Sequence, residues 1–168
     1  TNGNNRSAGA VFRTTDGGNT WTKVANFKAP DIAFNPLNPS DAVAGREDGY
    51  ISYSRDGGVT WTRSDVIVAT PSGRGSTARI EIAWSRAQNG LIYASVDNAK
   101  GEVWKSQDGG TTWTKMATPG HLNDQGDYDN TIWTDPTDAN HVVTGGLDLY
   151  QSRDGGTSFN KVSDWRFA

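Results

Sequence analysis

Apolar and polar positions along this chain change over in short runs, and no stretch sets apolar residues at helical spacing. Runs such as Tyr50-Ile51-Ser52-Tyr53 and Ile80-Glu81-Ile82-Ala83-Trp84 are rich in β-branched and aromatic residues. Gly-, Asn- or Pro-rich turns break them, which is the pattern of short antiparallel strands. The pattern predicts strands at Ala10–Arg13, Tyr50–Tyr53, Glu102–Lys105 and Asp148–Gln151, each followed by a turn. It predicts a second strand after each turn, at Thr22–Val24, Thr62–Ser64, Thr114–Met116 and Asn160–Val162. The chain reads as all-β.

The turns between these pairs repeat one another. Thr14-Thr15-Asp16-Gly17-Gly18-Asn19-Thr20-Trp21 returns as Ser54-Arg55-Asp56-Gly57-Gly58-Val59-Thr60-Trp61. It returns again as Ser106-Gln107-Asp108-Gly109-Gly110-Thr111-Thr112-Trp113 and Ser152-Arg153-Asp154-Gly155-Gly156-Thr157-Ser158-Phe159. The intervals are 40, 52 and 46 residues, a period that marks a repeat architecture. In each copy an Asp supplies acceptors to nearby N–H groups, and Gly-Gly takes the backbone conformations of a tight hairpin. The flanking Ser and Thr hydroxyls are placed to cross-link the two arms. The closing Trp21, Trp61, Trp113 or Phe159 is expected to fold under its hairpin and join the core.

A second repeated feature lies upstream. Ile32-Ala33-Phe34-Asn35-Pro36 matches Ile132-Trp133-Thr134-Asp135-Pro136, and Ile80–Ser85 followed by Asn89-Gly90 holds the same place between them. Each unit therefore reads strand, turn, strand, loop, strand, Asp-Gly-Gly turn, strand, which describes a four-stranded propeller blade. Blades are expected at about 30–65, 79–117 and 129–163, with the closing half of another at 10–25. This is a partial β-propeller of about three and a half blades in one segment. Three and a half blades do not close a ring, so the remainder of a propeller, from the same or another chain, is expected to cover the open edges.

Composition changes this picture little. The net charge is −3 from 16 basic and 19 acidic residues, interspersed, which leaves no electrostatic footprint for nucleic acid. The absence of cysteine among 168 residues excludes disulfides, thiolate metal sites and thiol nucleophiles. No apolar run is long enough to span a bilayer as a helix. The chain begins at Thr1 without an initiator Met, and the expectation is a processed or excised segment of a larger protein.

The four Asp-Gly-Gly motifs resemble the Asp-box, or bacterial neuraminidase repeat, superfamily. That superfamily includes sialidases, xyloglucan-active glucanases, sortilin-type receptors and photosystem assembly propellers. The chain is most similar to secreted bacterial proteins of glycosyl hydrolase or exo-sialidase type, through Gln125-Gly126-Asp127-Tyr128-Asp129-Asn130, Gly145-Gly146 and the Asp box that follows. The resemblance implies a secreted or extracellular location, or a periplasmic one, and a carbohydrate ligand. It also implies a structural role for Asp16, Asp56, Asp108 and Asp154 on the propeller periphery. The Phe-Arg-Ile-Pro motif that opens the sialidase arginine triad is replaced by Phe12-Arg13-Thr14-Thr15, and Arg13 aligns with Tyr53, Lys105 and Gln151 as an ordinary strand position. The Asp-plus-Val-Gly-Gly motif of xyloglucanases is absent too, so a complete catalytic set is not expected here.

Strand alternation places the candidate chemistry. The turns joining strands one to two and three to four share one face, while the two-to-three loops and the blade crossovers share the other. That second face collects the long connections Asp65–Ala78 and Ala117–Tyr128 and the loops Arg46–Gly49, Asp97–Gly101 and Gly145–Leu147. The candidate ligand residues are Arg46, His121, Asp124, Asp127 and Tyr128. Glu47, Asp97, Asp124 and Asp127 are the candidate catalytic carboxylates, since paired carboxylates are what glycoside hydrolysis needs. His121 with its neighbouring Asp residues could serve a hard cation or proton transfer, or simply form a solvated crossover with His121 at the surface; the spacing does not match a Ca²⁺ loop, and no metal or cofactor is assigned. Arg74 and Arg79 are further candidates for an anionic or sugar ligand. Trp84, Trp104 and Trp133 lie within strands and are expected to pack in the core.

Overall fold

The computed structural model describes residues 9–67, 69 and 79–167. Its strands are β1 (Val11–Arg13), β2 (Thr22–Ala25), β3 (Asp31–Asn35), β4 (Asn38–Gly45), β5 (Tyr50–Ser54), β6 (Thr62–Ile67) and β7 (Ile80–Trp84). They continue as β8 (Ile92–Val96), β9 (Glu102–Ser106), β10 (Thr114–Lys115), β11 (Thr131–Thr134), β12 (Val142–Gly145), β13 (Leu149–Ser152) and β14 (Asn160–Lys161). These form a two-stranded sheet β1-β2 and three four-stranded antiparallel sheets, β3-β4-β5-β6, β7-β8-β9-β10 and β11-β12-β13-β14. Among the described residues the helical structure is one 3₁₀ turn at Trp165–Phe167. The architecture is a partial β-propeller.

Within each sheet sequence-adjacent strands pair because each connection there is a hairpin, and the sheets then stack face to face. Successive first strands lie side by side, β3 against β7 and β7 against β11, so they form the inner edge. Trp84 Nε1 donates to Ala33 O at 3.0 Å and Thr134 Oγ1 to Trp84 O at 2.9 Å, which ties each inner strand to the one before it. Val43, Ile51, Ile80, Ile82, Trp84, Ile92 and Trp113 fill the space between the second and third sheets. Leu91, Tyr93, Val103 and Val142 do the same between the third and fourth. The inner half of β4 (Ala42–Gly45) and all of β8 are buried on both faces, since these strands sit within a sheet that is itself covered on each side.

The Asp box is a side-chain-built turn with the carboxylate at its centre. In the second copy Ser54 Oγ donates to Asp56 Oδ1 at 2.8 Å, Thr60 N to the same oxygen at 2.9 Å, and Thr60 Oγ1 to Oδ2 at 2.5 Å. Gly58 N donates to Ser54 Oγ at 2.9 Å, and Trp61 Nε1 closes the loop on Gly58 O at 3.1 Å. The hydroxyls thus link the arms through the Asp rather than directly. Gly57 and Gly58 take φ of 70° and 82°, the left-handed region that glycine occupies without strain.

Two of the expected core aromatics are exposed. Trp113 is 6% accessible and Phe159 packs against the Tyr93–Val142 cluster, whereas Trp21 is 59% accessible. The later closing aromatics are covered by the preceding sheet, and among the described residues no sheet precedes the first one. Trp133 is 48% accessible for the mirror-image reason: it faces the side of the fourth sheet that a following sheet would cover, with the His141 ring edge-on at 5.6 Å. Trp84 is buried and Trp104 half-buried, its indole donating to Glu102 Oε2 at 2.9 Å.

Candidate functional site: the loop face

Both kinds of short turn meet at one end of the stack. Gly57 N donates to Ser40 O at 2.8 Å, Gly109 N to Gly90 O at 2.9 Å and Gly155 N to Asn140 O at 3.0 Å, so the last three Asp boxes are each anchored beside the connection between strands one and two of their own sheet. The opposite end is built from the loops and crossovers. Ala69 N donates to Gly49 O at 3.3 Å, and Leu122 N to Lys100 O at 2.9 Å, which holds a crossover beneath each of the first two loops. The three non-glycine residues with positive φ among the described ones, Ala99, Lys100 and Asn123, all lie here. The expected 65–78 connection begins later than its sequence suggested, because β6 runs to Ile67; Arg74 and most of that connection lie outside the described residues.

The crossover 117–129 folds inward. His121 is 2% accessible and Leu122 fully buried, so His121 is not the surface side chain that its polar neighbours suggested. Ser95 Oγ donates to Asn130 Oδ1 at 2.6 Å, which leaves His121 Nε2 to donate to Ser95 Oγ at 2.7 Å. His121 Nδ1 is then a buried acceptor with no partner among the described residues. Burial pushes the imidazole down to about 4, so it is neutral at physiological pH. Asn130 Nδ2 donates in turn to Arg79 O and Ser95 O, each at 3.3 Å.

Asp97 and Asp127 lie near each other across Gly126, while Asp124 and Tyr128 are carried on the same crossover as Asp127. The Asp97 carboxyl lies against Gly126, where an added Cβ would stand 2.2 Å from Oδ1. Burial raises Asp97, and the charge of Asp127 raises it further. Asp124 and Asp127 are exposed, and the Tyr128 ring stands out at 63% accessibility. Glu47 and Arg46 belong to the neighbouring sheet and are taken up locally. Glu47 pairs with Lys28 at 3.4 Å, and Arg46 pairs with Asp48, donates to Ser52 Oγ at 3.2 Å and lies 4.5 Å over the Phe27 ring.

Sequence reasoning missed the inner-edge carboxylates and misjudged Arg79. Asp31 opens β3 and Glu81 is the second residue of β7, both on the loop-face end, and burial raises both; the Asp31 charge adds to the rise at Glu81 while Arg79 opposes it. Arg79 Nε donates to Glu81 Oε1 at 2.6 Å, and its Nη1 to Asp127 O at 3.3 Å and Tyr128 O at 3.1 Å. It therefore ties the inner strand to the crossover and is a tether, not an open anion site. A signal existed: Asp31 and Glu81 each stand immediately before the first Ile shared by the repeats, Ile32 and Ile82. Among the described residues no three His, Cys, Asp or Glu side chains are grouped to hold a metal ion.

Stacked four-stranded sheets with carboxylate-centred 3–4 hairpins at one end and charged loops at the other define an Asp-box β-propeller segment. Residues 9–118 match the Sortilin-Vps10 family (Sortilin, neurotensin receptor 3), and the chain belongs to that family. It is 27% identical over 150 residues to a xyloglucanase of Hypocrea jecorina (strain QM6a), covering 81% of this chain and 18% of that protein. Among solved structures it is similar to an ancestral GH74 enzyme, with TM-score 0.68, 18% identity, and coverage of 92% of this chain and 21% of that one. It is also similar to YCF48 from Cyanidioschyzon merolae, with TM-score 0.57, 17% identity, and coverage of 80% and 39%. A YCF48 structure with a bound D1 peptide matches with the same TM-score at 14% identity. The chain thus spans about a fifth of the curated relative.

Proposed function

We propose that this chain is a segment of a secreted, carbohydrate-active propeller, and that its loop face contributes a glycan-binding surface formed by Asp97, Asp124, Asp127 and Tyr128. The observation that supports this reading most is the convergence itself. An exposed aromatic ring and two exposed carboxylates lie on a crossover tethered by Arg79, and the half-buried Asp97 carboxyl, raised by burial, meets that crossover at Gly126. Sugars are recognised by such pairings, the ring offering an apolar platform and the carboxylates accepting from hydroxyls. The xyloglucanase relative supports a plant-type β-glucan as the first ligand to try. A raised carboxyl beside an ionised one is also the arrangement of a glycosidase acid and its partner. In this reading residues beyond this segment complete any catalytic set.

The test is titration calorimetry of the protein with xyloglucan oligosaccharides. Wild type should bind, and Tyr128→Ala should weaken binding about tenfold with an unchanged melting temperature. Equal binding by the two proteins would remove Tyr128 and its crossover from the site. A second reading rests on a separate observation: the family match to sortilin and the likeness to a propeller with a bound peptide favour a non-catalytic scaffold that takes a protein on the same face. A glycan array without a hit, with a peptide library retained through Tyr128, would select it.

A further inference from the structure

The crossover that carries Asp124, Asp127 and Tyr128 is seated on the third sheet through one buried histidine. His121 lies against the loop 97–101 and is 2% accessible. Its Nε2 donates to Ser95 Oγ at 2.7 Å, and Ser95 donates onward to Asn130 Oδ1 at 2.6 Å. Asn130 fixes the direction of this chain, because its amide group is already donating to Arg79 O and Ser95 O. The other ring nitrogen faces backbone. A Cβ added at Gly101 would stand 2.6 Å from His121 Nδ1 and 2.7 Å from Cε1, and Nδ1 has no partner among the described residues.

A proton added at Nδ1 would therefore be buried with nothing to accept it. The charged and titratable groups on the surrounding elements do not relieve this. Asp97 lies against Gly126, and Glu102 is taken up by Lys115, Asn98 and Trp104. Arg79 is paired with Glu81, and Asp148, next to the loop that packs on the crossover at Gly146, is paired with Lys161 at 2.7 Å. Lys100, Asp124 and Asp127 are exposed and Asp129 is half-buried. Tyr150 of β13 meets the ring edge-on at 6.5 Å between centroids. Burial is the one cause that lowers His121, so no charge acts on it.

We propose that His121 is an acid-operated latch: a proton taken up at Nδ1 frees the crossover from the loop and withdraws the surface formed by Asp124, Asp127 and Tyr128. The imidazolium needs water at Nδ1, and water reaches that atom when the crossover parts from Gly101. Leu122 N and Asn123 N donate to Lys100 O at 2.9 and 3.2 Å, so these bonds break in the same step. The sign follows from burial. The closed form holds the ring at about 4 and the open form returns it toward 6.5, so falling pH favours the open form through that window. The opening ratio rises about thirtyfold between about pH 7.5 and pH 5. The latch stands on the contacts of His121, whereas a glycan as the ligand it releases rests on the function proposed above.

Hydrogen exchange, corrected for the intrinsic pH dependence of amide exchange, reads the latch without a ligand. Protection at Leu122 and Asn123 should fall about thirtyfold from about pH 7.5 to pH 5, while the Asp-box amides of Gly58 and Gly110 hold. His121→Gln keeps a donor toward Ser95 and cannot take the proton, so it should lose that fall. His141→Gln, at the chain's other histidine, should keep it. Protection that stays level in wild type, or falls as steeply in His121→Gln, would overturn the proposal. If His121→Gln does not fold by circular dichroism, nitrogen-15 NMR of the wild-type ring decides. It should show the neutral Nε2–H tautomer at neutral pH and protonate in step with the loss of protection. A ring protonated under a crossover still protected would overturn the latch. Titration with xyloglucan oligosaccharides separates the two readings. Binding that weakens in acid in wild type and not in His121→Gln supports both, and binding equal at the two pH values overturns the latch. No binding at either pH, with protection lost in acid, strikes the glycan and leaves the latch standing.

Discussion

The four Asp-box aromatics are chemically similar, yet their surroundings differ, and this separates intrinsic turn chemistry from packing. Trp113 is 6% accessible, Trp61 half-buried against Phe27, and Trp21 59% accessible. Trp113→Ala should cost about 3–5 kcal/mol, as loss of a buried aromatic does, Trp61→Ala less, and Trp21→Ala least. Denaturant melts of the three variants check the order; equal costs would mean the indole acts through its turn and not through the sheet behind it. The carboxylates add a pH signature. Asp16, Asp56 and Asp154 are each drawn down to about 2, chiefly by the hydroxyl of Thr20, Thr60 or Ser158. Their folded pKa lies below the unfolded value, so their contribution is complete above about pH 4 and is lost as pH falls toward about 2. His121 acts earlier. Its folded pKa is depressed to about 4 from 6.5, so the unfolded chain takes up the extra proton between those values, and stability should fall as pH drops through that window. His121→Gln should flatten the loss between pH 6.5 and 4 in a thermal-melt series while leaving the steeper acid loss below it.

At the scale of the element, legibility in the sequence followed the range of the interaction. The Asp-box hairpins were readable because Ser54, Asp56, Gly57, Gly58 and Thr60 make their contacts within a few residues of one another. The exposure of Trp21 and Trp133 was not, because the cover of each aromatic comes from a neighbouring sheet rather than from its own strand. The crossover shows the same limit. Its polar composition suggested a solvated loop, but Gly101 and Gly126 let it close on the sheet and bury His121 against Ser95, a partner 26 residues away. Asp97, Asp124 and Asp127 were identified as candidates from topology, whereas Asp31, Glu81 and the Arg79 tether needed the inner edges of two sheets to be placed side by side. Gly126 is the element's most sensitive position. Gly126→Ala would force the crossover off Asp97, where the added carbon meets Oδ1, Cγ and Cβ at 2.2, 2.4 and 2.9 Å. Hydrogen exchange should then quicken across the crossover, at Leu122, Asn123 and Gln125, and stay unchanged at the Asp-box amides Gly58 and Gly110. Exchange that quickens at both ends alike would show that crossover and hairpins open as one unit.

For the whole molecule, two ends of one sheet stack divide the work. The hairpin end repeats the same hydrogen bonds in every unit, as a structural element does. The loop end differs from unit to unit and gathers the raised carboxyls of Asp31, Glu81 and Asp97. Variable loops on a repeated scaffold are how propellers acquire ligands without altering the fold. The Asp box is therefore a fold signature, and an arginine such as Arg79 can look like a ligand group while tying a strand to a crossover. The most direct measurement of this division pairs Asp127→Asn with Asp108→Asn and reads glycan affinity and melting temperature for both. The account predicts a crossed result: Asp127→Asn weakens xyloglucan-oligosaccharide binding with the melting temperature unchanged, and Asp108→Asn lowers the melting temperature with affinity unchanged below it. Loss of affinity in Asp108→Asn, with Asp127→Asn binding like wild type, would contradict it and put the ligand at the hairpin end.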